Sequence, residues 1–199
     1  MPPIVDADAL VVLGGSMSCQ DDAEASWLAP TRQLISRTVR AGTPFLGICL
    51  GHQLATVALG GQVCTSDHFC LGAAEMHLTP EGKKDPLLSV YDGHRGIHFN
   101  NDVAVVLPED AVLLARDPTG QIEAVRFAER AWGVQFHPEC TPEIFDAWTI
   151  GHGEKEWQQR LPWSEAVTVA ETVRRDIDTV NAEEAFAARF QELIDPEKR

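Results

Sequence analysis

The sequence predicts an α/β fold in which a mostly parallel sheet is flanked by helices. Residues 9–13 form a continuous apolar run that ends at Gly14-Gly15, and a run without alternation is typical of a strand covered on both faces. A helical pattern over 27–40, a short apolar strand at 44–48 and a helix over 52–59 follow. Alternating strands and helices predict a doubly wound sheet, with reactive groups at the carboxyl ends of its strands.

The second half of the sequence predicts more strands and then helices. Short β-rich runs at 103–107, 111–115, 122–127 and 132–136 indicate neighbouring strands, partly joined as antiparallel hairpins. Thr141-Pro142 is a helix start, the apolar face of 162–180 predicts a second helix, and 181–184 resembles a capping box for a third. We expect one domain over residues 1–199, with C-terminal helices over 141–194 packed on it.

Cys49 lies at the junction of the 44–48 strand and the helix after it. Gly47 and Gly51, two positions before and two after, allow a strained backbone and a protruding side chain, as in a nucleophile elbow. A thiol there faces the positive end of a helix, which favours the reactive thiolate. A buried structural cysteine in a glycine-rich turn is the alternative that this segment alone leaves open.

A second segment supplies the other groups that acyl transfer needs. The strand over 131–136 continues into His137-Pro138-Glu139. Residues two apart on an extended chain point to the same side, so His137 and Glu139 can lie along one edge. A histidine there can take the proton of a thiol and return it to a leaving amine, while a neighbouring carboxylate orients the imidazole and stabilises its charge.

Together, Gly47-Ile48-Cys49-Leu50-Gly51-His52-Gln53 and Gln135-Phe136-His137-Pro138-Glu139 resemble the class I, triad-type glutamine amidotransferases, which have a flavodoxin-like fold. The resemblance implies that Cys49 attacks the side-chain amide of glutamine and releases ammonia. A γ-glutamyl thioester remains, and water hydrolyses it. The resemblance also implies that His137 is the general base and acid and that Glu139 orients it.

The resemblance extends to the residues around this candidate triad. It implies an oxyanion hole formed by the backbone amides of Gly15 and Leu50, where losing one donor commonly costs about 3 to 4 kcal/mol of barrier. It further implies that Gln53, Asn100 and Asn101 contact the substrate glutamine. The family has a histidine where Asn100 stands.

The sequence departs from the family's pattern at two other places. Ser16 replaces the proline that usually follows the two glycines. Only eight residues precede Ala9, where the family carries a strand, a helix and another strand. Either the coding sequence begins further upstream, or the sheet lacks this unit and exposes an edge.

Composition excludes several other classes of function. The net charge of −14 opposes binding to nucleic acid or to an anionic membrane. No apolar stretch approaches the roughly 20 residues that span a bilayer, and the N-terminus lacks the pattern of a signal peptide, so we expect a cytoplasmic protein. The five cysteines have no paired metal spacing, and the sequence indicates neither a metal nor a cofactor.

Three functions remain open at this stage. The first is a standalone glutamine amidotransferase or glutaminase that passes ammonia to a synthetase or other acceptor subunit. The second is a γ-glutamyl peptidase or hydrolase with the same three residues. The third is a non-catalytic scaffold or regulatory module of the same fold.

Overall fold

The computed structural model describes residues 7–148, 163–177 and 182–195, which form a mixed six-stranded sheet, a two-stranded ribbon and helices around them. The strands are β1 Leu10–Val12, β2 Phe45–Ile48, β3 Gln62–Glu75, β4 His77–Leu78, β5 Arg95–Val106, β6 Val112–Arg116, β7 Ile122–Ala128 and β8 Ala131–Val134. The helices are α1 Leu28–Arg40, α2 Leu50–Ala58, α3 over 142–148, α4 Trp163–Ile177 and α5 Glu183–Ile194. Short 3-10 turns occupy Gly82–Lys84 and Leu88–Tyr91.

The six-stranded sheet confirms the predicted α/β class. Its order is β1-β2-β8-β7-β6-β4, with parallel pairing from β1 to β8 and antiparallel pairing beyond it. The predicted hairpins therefore join β6, β7 and β8. Strand β1 forms one edge, and the side chains of Val11 and Leu13 are exposed there.

The two faces of the sheet carry separate apolar layers. On one face, α1 and α2 pack on the sheet through a cluster that includes Leu28, Leu54 and Phe45. On the other, Phe186 of α5 packs in a cluster with Leu46. The adjacent residues Phe45 and Leu46 of β2 thus pack into opposite apolar layers, as expected for a strand covered on both sides. No described helix combines the length and apolar character needed to cross a membrane.

The ribbon of β3 and β5 was only partly predicted. The sequence indicated a strand at 103–107, but the observed strands extend over 62–75 and 95–106 and pair antiparallel, with an irregularity between Thr65 and Cys70. Pairing joins Ala73 to Ile97 across a long stretch of chain. Polar residues interrupt the alternation of apolar and polar side chains on both strands. The length of the strands is therefore determined by their pairing with each other and not by the local sequence pattern.

The C-terminal helices largely match the predicted ones. Thr141 accepts a hydrogen bond from Ile144 N at 3.3 Å through its hydroxyl, as its predicted capping role requires. Helix α4 ends at Ile177, and the rest of the predicted 162–180 helix lies outside the described residues, as does Asn181 of the predicted capping box. Ala182 is the N-cap of α5, and it makes no side-chain capping bond.

His52, on α2, lies inside the fold. Its ring is fully buried, stacks on Phe127 with 5.8 Å between centroids, and neither nitrogen has a hydrogen-bond partner among the described residues. Burial lowers the pKa of His52 to about 4. The folded protein therefore keeps this imidazole neutral.

This burial predicts acid sensitivity. Between pH 6.5 and about 4 the unfolded chain binds a proton at His52 and the folded chain does not, so stability is present above this window and falls as pH drops through it. At pH 4.5 the loss in the free energy of unfolding is on the order of 2 to 3 kcal/mol. Urea unfolding of wild type and His52→Gln at pH 7 and pH 4.5 tests this. The variant should lose less stability between the two pH values, and an equal loss in both proteins contradicts the prediction.

Candidate active site

Cys49 forms a strained elbow between β2 and α2. Its backbone has φ 49° and ψ −107°, and Cys49 is the one non-glycine residue with positive φ in the described part of the chain. A Cβ on Gly47 would lie 2.6 Å from the backbone of Gly51, and a Cβ on Gly51 would collide with the carbonyl of Val12. Both predicted glycines are therefore required by close backbone packing, and a strained non-glycine residue is typical of functional sites.

The same sheet positions His137 beside this elbow. Cys49 N donates to Val134 O at 2.8 Å, which joins the end of β2 to the end of β8. His137 follows β8 by three residues, and its own N–H donates to Ile97 O of β5 at 2.8 Å. Two strands therefore hold the backbone on either side of the imidazole.

Glu139 orients the imidazole, as the two-residue spacing predicted. His137 Nδ1 lies 2.8 Å from Glu139 Oε1. The imidazole is only 5% exposed, and its other nitrogen, Nε2, is buried without a hydrogen-bond partner among the described residues. One nitrogen is thus held by a carboxylate, and the other remains available for proton transfer.

The side chains of Cys49 and His137 both lie close to Gly14. A Cβ placed on Gly14 would lie 2.9 Å from His137 Cε1 and 3.6 Å from the Cβ of Cys49. Burial disfavours the charged imidazole, but the charge of Cys49 and hydrogen bonding to it, followed by the hydrogen bond to Glu139 and the charge of Glu139, outweigh burial and raise the pKa of His137 to about 10. The imidazole is accordingly protonated on both nitrogens and positively charged at neutral pH.

The close approach of Gly14 gives a direct prediction. Alanine at position 14 would push the imidazole away from its place, and displacements of about 1 Å can cost about 10²-fold in rate. We expect Gly14→Ala to lower kcat/KM by about 10- to 10²-fold, measured with the substrate that wild type turns over. Ser16→Ala, a change in the same exposed loop, is the control. Equal activity of the two variants would contradict this prediction.

The two predicted oxyanion-hole residues are neighbours. Leu50 is the first residue of α2, where a helix leaves its N–H without an intrahelical acceptor. A Cβ on Gly15 would lie 2.8 Å from the Leu50 side chain, so the glycine loop and the start of the helix are adjacent. The oxyanion hole itself stays a prediction.

The glycine loop is tied to β5 by a polar contact that the sequence did not indicate. Ser18 Oγ donates to Asp102 Oδ2 at 2.5 Å, and Thr65 Oγ1 donates to Asp102 Oδ1 at 2.9 Å. Ser18 follows the loop by two residues, so this carboxylate connects the loop to the ribbon.

The three residues assigned to substrate binding occupy different surroundings. Gln53 and Asn100 are buried, and their amide groups donate to Asp102 O at 2.8 Å and 3.2 Å. Asn101 is half-buried and points to the other face of β5, since successive residues of a strand alternate. Gln53 and Asn100 thus hold the β5 backbone in this structure, and direct contact of all three with substrate stays a prediction.

A second cysteine and histidine lie on the ribbon, at Cys70 of β3 and His98 of β5, near Glu123 of β7, but they are arranged differently. His98 Nε2 lies 2.7 Å from Glu123 Oε2 and its Nδ1 lies 3.0 Å from Gly96 O, so both nitrogens are engaged. Burial, then the charge of Glu123, raises the pKa of nearby Cys70 to about 11. This group therefore has a thiol that is protonated at neutral pH and an imidazole whose two nitrogens are both engaged.

Two further features complete the surroundings of the site. The indole of Trp148, on α3, lies against His137 with 4.5 Å between ring centroids, a contact that no local pattern indicates. Among the described residues, no cluster of three or more His, Cys, Asp or Glu side chains is arranged to hold a metal ion.

Comparison with known families identifies the class of protein to which this α/β fold belongs. The model of the family described as glutamine amidotransferase class-I matches residues 3–151. The chain therefore belongs to the class-I glutamine amidotransferase family.

Individual relatives place the chain among amidotransferase-like proteins. It is 32% identical over 161 residues to the glutamine amidotransferase-like protein YfeJ of Salmonella typhimurium, an alignment that covers 78% of this chain and 66% of YfeJ. It is 34% identical over 101 residues to one subunit of the glutamine-hydrolyzing GMP synthase of Methanothermobacter thermautotrophicus, covering 48% of this chain and 51% of that subunit. The chain thus spans less than two thirds of the length of these relatives.

The fold is shared with solved structures. The glutamine amido transferase from Methylobacillus flagellatus superposes with a TM-score of 0.80 at 22% identity, over 98% of this chain and 80% of that one. At this identity the similarity shows the fold alone.

Proposed function

We propose that this protein hydrolyses the side-chain amide of glutamine through a thioester on Cys49. The observation that carries the proposal is the position of His137, whose Nδ1 is held by Glu139 at 2.8 Å while its buried imidazole lies close enough to Cys49 for the two side chains to interact. A protonated imidazole next to a thiol at a helix N-terminus is suited to thiolate attack followed by protonation of the leaving amine.

The reaction proceeds in two halves. The sulfur of Cys49 bonds to the amide carbon, His137 donates a proton to the amide nitrogen, and the carbon–nitrogen bond breaks to release ammonia. His137 then takes a proton from water, whose oxygen attacks the thioester carbon. The carbon–sulfur bond breaks, and glutamate leaves with Cys49 restored as a thiolate. Backbone N–H groups of Gly15 and Leu50 stabilise the negative oxygen in both halves.

A synthetase or another acceptor protein is the proposed destination of the ammonia. The support is the similarity to a subunit of a glutamine-hydrolyzing GMP synthase, which is named as one part of a larger enzyme.

A γ-glutamyl peptidase or hydrolase is the second candidate. It is favoured by Trp148, which lies half-buried beside His137, and by Phe99, which is half-buried against Trp148 with 5.9 Å between their ring centroids. A leaving amine that carries an apolar group could contact these rings, whereas ammonia could not.

Substrate comparison with purified wild type tests these proposals. Ammonia release from L-glutamine is measured beside amine release from γ-glutamyl-p-nitroanilide and from a γ-glutamyl dipeptide, each with Cys49→Ala as the blank. Faster Cys49-dependent turnover of glutamine supports the first proposal, and faster turnover of the other amides supports the second. No Cys49-dependent turnover of any of them would contradict both and favour the scaffold alternative.

A further inference from the structure

Trp148 forms one wall of the space around His137. Its ring centroid lies 4.5 Å from that of the imidazole, with 59° between the ring planes. Gly14 lies close to the same imidazole, where a Cβ would come within 2.9 Å of Cε1. The ring of His137 therefore has a backbone loop and an indole for neighbours, and Trp148 itself remains half-buried.

The position of Trp148 is fixed by contacts on α3. Phe145, one turn earlier, is fully buried in a cluster with Ile97 and Val173. Asp146 pairs with Arg174 of α4. Phe99 of β5 meets the indole edge to face, with 5.9 Å between centroids. The tryptophan is therefore held by α4 and β5 and has little freedom to leave the imidazole.

We propose that Trp148 is a positioning residue for His137, whose indole holds the imidazole against the cysteine elbow and stabilises its protonated form. This inference rests on the proposed function of His137 as general base and acid. A cation within about 6 Å of an indole centroid is attracted by the ring's quadrupole, and tryptophan is the strongest aromatic partner. The indole also excludes water from the imidazole, which strengthens its interaction with Glu139.

Other charged groups around His137 also affect its pKa. Cys49 at the start of α2 and Glu139 of its own segment both raise the pKa of His137. His98 of β5 is paired with Glu123 of β7, and the charge of His137 acts to lower the pKa of His98. None of these groups changes when Trp148 is replaced, so a shift on its replacement reports on the indole.

The test measures the pKa of His137 directly, by NMR titration of protein labelled with ¹³C at histidine Cε1. Loss of one signal in His137→Gln assigns the resonance. We expect Trp148→Leu to lower the pKa, changing the protonation equilibrium by on the order of tenfold, and Trp148→Phe to keep most of the wild-type value because it retains an aromatic face. The alkaline limb of kcat/KM should move by the same amount.

Trp27→Leu is the matched control, since Trp27 is 41% exposed at the start of α1 and should leave the titration unchanged. Thermal unfolding of each variant shows whether it is folded. An unshifted pKa in folded Trp148→Leu, or equal shifts in Trp148→Leu and Trp148→Phe, would overturn the proposal. The titration needs no turnover, so an inactive wild type would refute the proposed function without deciding the role of Trp148.

Discussion

Cys49→Ala is expected to abolish hydrolysis of the amide substrate, with kcat at least about 10⁴-fold below wild type. Without the sulfur no thioester can form, and water would have to attack the amide directly. The fold should survive, because the positive φ of Cys49 is a backbone property and alanine removes one buried atom. Ammonia release under substrate saturation, with thermal unfolding measured in parallel, tests the prediction.

Cys64→Ala provides the matched control for this experiment. Cys64 is an exposed thiol on β3, so its loss should leave kcat and KM unchanged. Retention of more than a tenth of wild-type activity by Cys49→Ala would show that another group performs the attack.

His137→Gln is expected to lower kcat by about 10³- to 10⁴-fold. The variant loses both the proton acceptor and the proton donor of the two halves of the reaction. It also leaves Glu139 without its hydrogen bond partner at Oε1. Because the amide side chain fills part of the same space, KM should change much less than kcat. Steady-state kinetics on glutamine over a range of pH measure both.

An exposed histidine and glutamate pair offers the control for His137. His77 Nε2 lies 3.7 Å from Glu75 Oε2 on the surface, where such pairs contribute little. His77→Gln should therefore behave as wild type. A similar loss in both variants would mean that the effect of His137→Gln is general and not specific to the site.

The reactive elbow was predictable because its signals are local. A short apolar strand, a helix pattern and two glycines flank Cys49, and the structure shows why each glycine is needed. The separation of His137 and Glu139 by one residue likewise predicted their contact, which is 2.8 Å. Pairing of β2 with β8 then brings the two segments together through a parallel register that the fold class implies.

The residues around the elbow were harder to predict because they meet through tertiary pairing. Asn100 and Asn101 are adjacent in sequence, yet alternation on β5 turns them to opposite faces. The pairing of His98 with Glu123 joins two strands 25 residues apart. Trp148 reaches His137 only because α3 folds back across the site. None of these contacts produces a periodic pattern in the sequence from which it could be predicted.

Covalent labelling with 6-diazo-5-oxo-L-norleucine, a glutamine analogue with an electrophilic carbon, tests the central claim most directly. Intact-protein mass spectrometry followed by peptide mapping should show one adduct, on Cys49, that forms in step with loss of activity and is absent from Cys49→Ala. Labelling at a different residue, or continued hydrolysis of glutamine by protein fully labelled at Cys49, would contradict the account.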